Sequence, residues 1–271
     1  MNGIDHLMSV VPDLAAAADA ARRIGFTVTD RGVHSGRGTS NHLIVLPDCY
    51  WELLAVDEPT PFNGRVREAL SHPGLFGCAL ATRDIARDRE RTLAAGIPTD
   101  APVAFVRPVD IDGSVREAGF RTAQLRPHEP FDGYFFFCEH RTPELVWRSE
   151  WMRHPNGALR IHGVDVAAGA PATAGALLGR LFGAPFTATG DEGRIELGAI
   201  RLGIERDDDN SSDRAPRFTT LRIAVADLDR AAAMIEAAGF RPERRGQTIV
   251  LRVEAFGDTM LAFEAAPKSL D

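Results

Sequence analysis

Apolar and polar positions along the chain follow one pattern four times over. A short apolar strand runs into a Pro, Asp or Ala signal, an alanine-rich stretch of helical period follows, a glycine stops it, and further short strands come after. The first copy is a strand over Gly3–Val11, a helix opened by Pro12-Asp13-Leu14, and a stop at Ile24-Gly25-Phe26. The Asp13 carboxylate suits an N-cap, and Gly25 suits the left-handed residue that ends a helix. The second copy runs from Leu75–Thr82 through Asp84 to Gly96, the third from Arg160–Val166 through Ala170-Pro171 to Gly183, and the fourth from Thr219–Val225 through Asp227 to Gly239.

Strand-like runs rich in Val, Ile and Phe follow each helix. They are expected at Thr27–Asp30, Asn41–Leu46 and Tyr50–Val56, then Val103–Val109, Val115–Leu125 and Tyr134–His140. In the second half they fall near Phe186–Ala188, Arg194–Leu197 and Ile200–Glu205, then Pro242–Arg244, Thr248–Val253 and Thr259–Phe263. One helix per three or four strands is not the strict alternation of a doubly wound sheet. The pattern predicts an α+β protein of four βαβββ modules on curved mixed sheets. Paired modules would form two domains, 1–148 and 158–267, joined near Trp147–Leu159. Asp207–Pro216 reads as a solvated polar loop.

Composition changes this picture little. Of 271 residues 44% are hydrophobic and 25% charged, as in a soluble globular protein. A net charge of -7 argues against a nucleic-acid partner, which needs a basic face. No run approaches the roughly 18 apolar residues of a membrane span, and the first residues lack the basic start and apolar core of a signal peptide. The three cysteines, Cys49, Cys78 and Cys138, fit no disulfide framework. The expectation is a cytoplasmic protein with reduced, packed thiols and a small-molecule partner, as a homodimer.

Candidate chemistry is confined to the first half. All eight histidines lie at or before His162, and all three tryptophans in the first 151 residues. His6 sits on the first strand beside Asp5, a carboxylate able to hold its tautomer. Glu52 stands alone among Trp51, Leu53, Leu54 and Ala55, where an unpaired buried charge would cost several kcal/mol. His140 ends the corresponding strand of the second module. Two imidazoles and one carboxylate, His6, Glu52 and His140, suit a divalent metal with open positions: Fe, Mn, Zn, Ni or Co. Glu144 is the candidate general base, and Asn41, His42 and Trp51 are candidate substrate contacts. The loop Arg31–Asn41 (RGVHSGRGTSN) holds no complete phosphate-binding motif. It is read as a substrate rim or an ordinary hairpin connection.

The stretches IDHLMSVVPDLAAAADAARRIGF and GVHSGRGTSNHLIVLPDCYWELLAV resemble the opening of glyoxalase-like proteins of the vicinal oxygen chelate superfamily. HRTPELVWRSEWMRHPNGA, followed by IHGVDVAAGAP, resembles the link between the two halves of such proteins. The resemblance implies paired βαβββ modules cupping a site in each sheet. It implies bacterial-type enzymes (lyases, isomerases and dioxygenases) that chelate vicinal substrate oxygens on a divalent metal, or metal-free proteins that sequester drugs. The implied ligand positions fall at His6, Glu52, Gly77 and at or near His140. Gly77 offers no side chain, which favours three ligands or none. The leading expectation is a metal-dependent enzyme acting on a small oxygen-rich substrate. The alternative is a metal-free pocket lined by Trp51, Phe135, Phe137 and Trp147.

Overall fold

The computed structural model describes residues 3–207 and 215–266. The strands separate into two eight-stranded sheets at the link that follows His140. The first holds β1 (Ile4–Val10), β2 (Gly32–His34), β3 (Thr39–Val45), β4 (Tyr50–Val56), β5 (Gly74–Ala81), β6 (Val103–Ile111), β7 (Ser114–Leu125) and β8 (Tyr134–His140), in the order β2-β3-β4-β1-β5-β8-β7-β6. The second repeats that order with β9 (Ala158–Ala168), β10 (Phe186–Thr189), β11 (Glu192–Leu197), β12 (Ile200–Arg206), β13 (Arg217–Val225), β14 (Glu243–Arg245), β15 (Thr248–Arg252) and β16 (Met260–Ala265). This is the α+β class expected, with two modules per sheet.

The helices form where the start and stop signals stand. Asp13 caps α1 (Leu14–Arg23) by accepting from the Ala16 amide at 2.9 Å, and Gly25 follows it at φ 89°. Asp84 caps α3 (Ile85–Ala94) and Asp227 caps α5 (Leu228–Ala237) in the same way. Pro171 opens α4 (Pro171–Phe182). A short helix α2 (Gly64–Ala69), which no periodicity announces, precedes β5.

Two expectations shift. Thr27–Asp30 is not a strand, because its polar groups are bonded elsewhere. The Thr27 amide donates to His154 Nδ1, and Thr29 exchanges bonds with Leu43 through one amide and one hydroxyl. The strand forms instead inside the glycine-rich loop, as β2. Most of the polar loop expected at Asp207–Pro216 lies outside the described residues.

Strand alternation separates two apolar layers. Leu7, Trp51, Leu53 and Cys78 turn to a large core that runs continuously through both sheets and the helices. Trp51 packs edge-on against Phe256, and Phe26 stacks on Phe263. Met8, Tyr50, Leu54, Ala79 and Phe136 turn to the other face of the first sheet. That face curves until the edge strands β2 and β6 meet, with Arg107 of β6 crowding the Cα of Gly32 on β2. No described helix is long and apolar enough to cross a membrane.

Candidate functional site

The hollow of the first sheet is a pocket with one polar end. His6, His34, Asn41, Glu52 and Arg107 meet there, and Tyr50, Phe62, Phe105, Phe120, Tyr134 and Phe136 supply most of the aromatic wall. A bulge places the histidine. The β1–β5 register passes from Ile4↔Leu80 to His6↔Ala79, so Asp5 has no partner of its own. Bulges re-aim side chains, and here Asp5 meets His6 directly: its Oδ1 lies 2.6 Å from His6 Nδ1. The same oxygen lies 3.0 Å from His140 Nε2. Burial alone would raise the Asp5 carboxyl. The His140 and His6 rings outweigh it and hold it at about 2. An ionised carboxylate only accepts, so the His6 proton sits on Nδ1. Nε2 then faces the pocket, 3.5 Å from Glu52 Oε2. Tyr50 stacks on the ring at 4.4 Å.

Glu52 is 5% exposed and accepts from Asn41 Nδ2 at 2.5 Å. The same amide group lies 3.2 Å from His34 Nε2, and Asn41 Oδ1 accepts from Arg107 Nη1 at 3.3 Å. Burial, helped by Arg107 and Arg37 against the pull of Glu52, lowers His34 to about 4. His34 is therefore neutral at pH 7. Its Nδ1–H donates to Thr39 Oγ1 at 2.9 Å, which leaves Nε2 to accept from Asn41. Two hydrogen-bonded groups result, Thr39–His34–Asn41–Glu52 and His6–Asp5–His140, facing each other across the 3.5 Å between Glu52 and His6.

The structure brings His6, Glu52 and Asn41 together and disperses the other expected site residues. Adjacent strand residues face opposite sides, so Trp51 cannot share the Glu52 side, nor His42 the Asn41 side. Trp51 is fully buried in the large core and donates to Ser9 Oγ. The Nδ1 of His42 bonds the Thr29 carbonyl at 2.7 Å. His140 lies behind His6, on Asp5 rather than on Glu52, and Glu144 is exposed in the short turn after β8. Phe135 and Phe137 join the core instead of the pocket, and Trp147 packs on Tyr50 and His140.

Register tests the implied metal. The residue seven places before each helix cap is His6, Gly77, Gly163 and Thr220. These pair with Tyr50, Tyr134, Arg201 and Met260, so the second ligand position, two residues further, is Glu52, Phe136, Gly203 and Ala262. The position matched to Glu52 in the second module is thus Phe136, four residues from His140. A Cβ on Gly77 would come within 2.0 Å of Met8 Cε, so Met8 fills the space of a ligand side chain there. The residues do not fit the four-ligand set. In the second sheet no matched position carries a ligand. Arg222 binds Asp165 at 2.8 Å and Glu264 at 2.7 Å across that hollow instead. Among the described residues Asp5, Cys138 and His140 do bring ligand atoms within 4.8 Å of one another, but Asp5 is already engaged by two imidazoles.

A family model described as a glyoxalase-like domain matches residues 4–182, across the first sheet and into α4. The chain belongs to the glyoxalase-like domain family. Its fold is that of the vicinal oxygen chelate proteins. A hypothetical protein from Staphylococcus aureus superposes with a TM-score of 0.76 at 13% identity, over 98% of this chain and 100% of that one. A mutant of 4-hydroxymandelate synthase from Streptomyces coelicolor gives 0.65 at 14%, over 98% and 93%. A xylose isomerase-like TIM barrel/4-hydroxyphenylpyruvate dioxygenase fusion protein gives 0.64 at 15%, over 99% of this chain and 49% of that one. At these identities the likeness is one of fold. No curated protein sequence matches the chain.

Sequence reasoning passed over Arg107 and treated His34 only as part of a loop. Arg107 had a signal: it alternates with Phe105 and Val109 along β6, so it faces inward with them.

Proposed function

We propose that this member of the glyoxalase-like family handles a small molecule in the first-sheet pocket by proton transfer at His6, without the family's metal. The observation that carries the reading is the pair Gly77 and Phe136 at the two second-module ligand positions. What remains suits acid–base work. Asp5 fixes the His6 tautomer and stabilises the imidazolium, as an orienting carboxylate does. The separation of Nε2 from Glu52, 3.5 Å, is long for a hydrogen bond, which leaves Nε2 available to a substrate proton. The aromatic walls exclude water and grip flat apolar surface.

A metal-dependent lyase, isomerase or dioxygenase is the second reading, and one observation favours it. His6 Nε2 and His34 Nε2 face the two Glu52 oxygens at 3.5 and 3.7 Å. Elemental analysis separates the two readings. Protein purified without chelator and supplemented with Fe, Mn, Ni, Co or Zn is expected to hold far less than one equivalent. A full equivalent that disappears in both His6→Ala and Glu52→Gln would overturn the metal-independent reading.

A further inference from the structure

We propose that Arg107 anchors an anionic group of the ligand, so that the pocket selects a small aromatic or otherwise flat acid, a carboxylate above all. The proposal rests on the reading of the pocket as a small-molecule site, and adds to it the class of ligand.

Arg107 is 3% exposed and lines the pocket, and among the described residues its guanidinium makes one hydrogen bond, from Nη1 to Asn41 Oδ1. Nη2 is buried with no hydrogen-bond partner among the described residues. An arginine cannot escape this cost by losing its proton, because its ordinary pKa lies above about 12. Burying a guanidinium with a donor unmade is costly, and truncation of partners around such charges is among the most damaging changes in proteins. An anion that accepts from Nη2 removes the cost.

The site is also built to admit this side chain. A Cβ on Gly32 would lie 2.2 Å from Arg107 Nη1 and 2.5 Å from Asn41 Oδ1, so a bare residue on β2 is what lets the arginine cross from β6. The charge balance points the same way. Glu52 is the one acidic side chain among the described lining residues, and Asn41 already bonds it. It is set against Arg107 and Arg37, whose guanidinium covers Phe105 at 4.5 Å. The second hollow shows the contrast: Arg222 there is surrounded by carboxylates of the protein's own, Asp165, Glu205 and Glu264. Aromatic walls beside an unpaired guanidinium describe a flat body carrying a charged head.

Matched acids and amides test this. Benzoate against benzamide, and phenylacetate against phenylacetamide, are titrated into the full chain by calorimetry or ligand-observed NMR. The acids are expected to bind about tenfold or more tighter than their amides, the size of one charge-assisted contact. Arg107→Met should bring each pair to near equality, with amide affinity held. Gly32→Ala, which keeps the charge but displaces it, should weaken the acids selectively. It serves as the second variant should Arg107→Met misfold. Equal binding of acid and amide by the wild-type chain, or an acid preference that survives both variants, would overturn the anchor and leave the pocket reading standing. Binding of none of the four compounds would overturn both.

Discussion

Acid should begin to destabilise this protein through His34, above the range in which ordinary carboxylates titrate. The imidazole is held neutral by burial, with its folded pKa at about 4 against an ordinary 6.5. For a histidine shifted down, the unfolded chain binds the proton first. Stability is whole above the unfolded pKa and falls as pH drops from about 6.5 towards 4. Integrating that difference from pH 7 to pH 5 gives a loss of about 2 kcal/mol from this one group. The figure is an upper one, since the side chain keeps 14% of its surface exposed. His42 and His154 are also lowered by burial and steepen the wild-type profile, so the comparison must be made against a variant. Urea unfolding of wild type and His34→Gln at pH 7 and pH 5 reads it directly. The wild-type loss should exceed the variant's by 1–2 kcal/mol, on the order of the linkage value. Parallel losses in the two proteins would refute a neutral, buried His34, and with it the tautomer assigned to the Asn41 bond. Asp5 is shifted the same way, and its contribution is lost at lower pH. Held at about 2, it contributes stability above its ordinary 3.8 and gives it up only below that.

Two further outcomes follow from which way side chains face. Trp51→Ala should cost about 3–5 kcal/mol in denaturant melts, as removal of a fully buried tryptophan does, and His42→Ala should leave the affinity of any pocket ligand within about twofold. Gly77→Ala puts its new methyl against the flexible tip of Met8, which can turn aside, so it should cost about 1 kcal/mol, the low end of overpacking, as read by thermal unfolding.

The repeat was legible because each module advertises its own beginning and end. Asp13, Asp84 and Asp227 cap their helices through local bonds that need nothing from the rest of the chain. β4 and β8 emerged with the bounds their apolar runs gave, Tyr50–Val56 and Tyr134–His140. What escaped depends on partners distant in sequence. Thr27–Asp30 has strand composition, yet its groups are bonded by His154 and Leu43. At the site, proximity in sequence misled. Asn41 and His42, like Trp51 and Glu52, are neighbours that a strand must send to opposite sides. His140 illustrates a different failure: it is a conspicuous residue at the end of the right strand, but the β5–β8 register places Phe136 opposite Ala79. Asp5 was legible through its contact with the next residue. Arg107 was not, because its meaning lies in Gly32 and Asn41, more than sixty residues away.

The core that passes unbroken through both sheets gives the second half a mechanical task. The floor of the pocket is a layer one strand thick, and the far side of that layer rests on residues such as Phe256 and Phe263. A half without histidine on its own strands beyond His162 thus serves as the anvil behind the working surface, resisting the small displacements that would loosen His6 from Asp5. Selection on that half would act through stiffness and fit rather than chemistry, holding its apolar positions and structural polar ones such as Asp227 and Arg222 while its exposed polar positions drift.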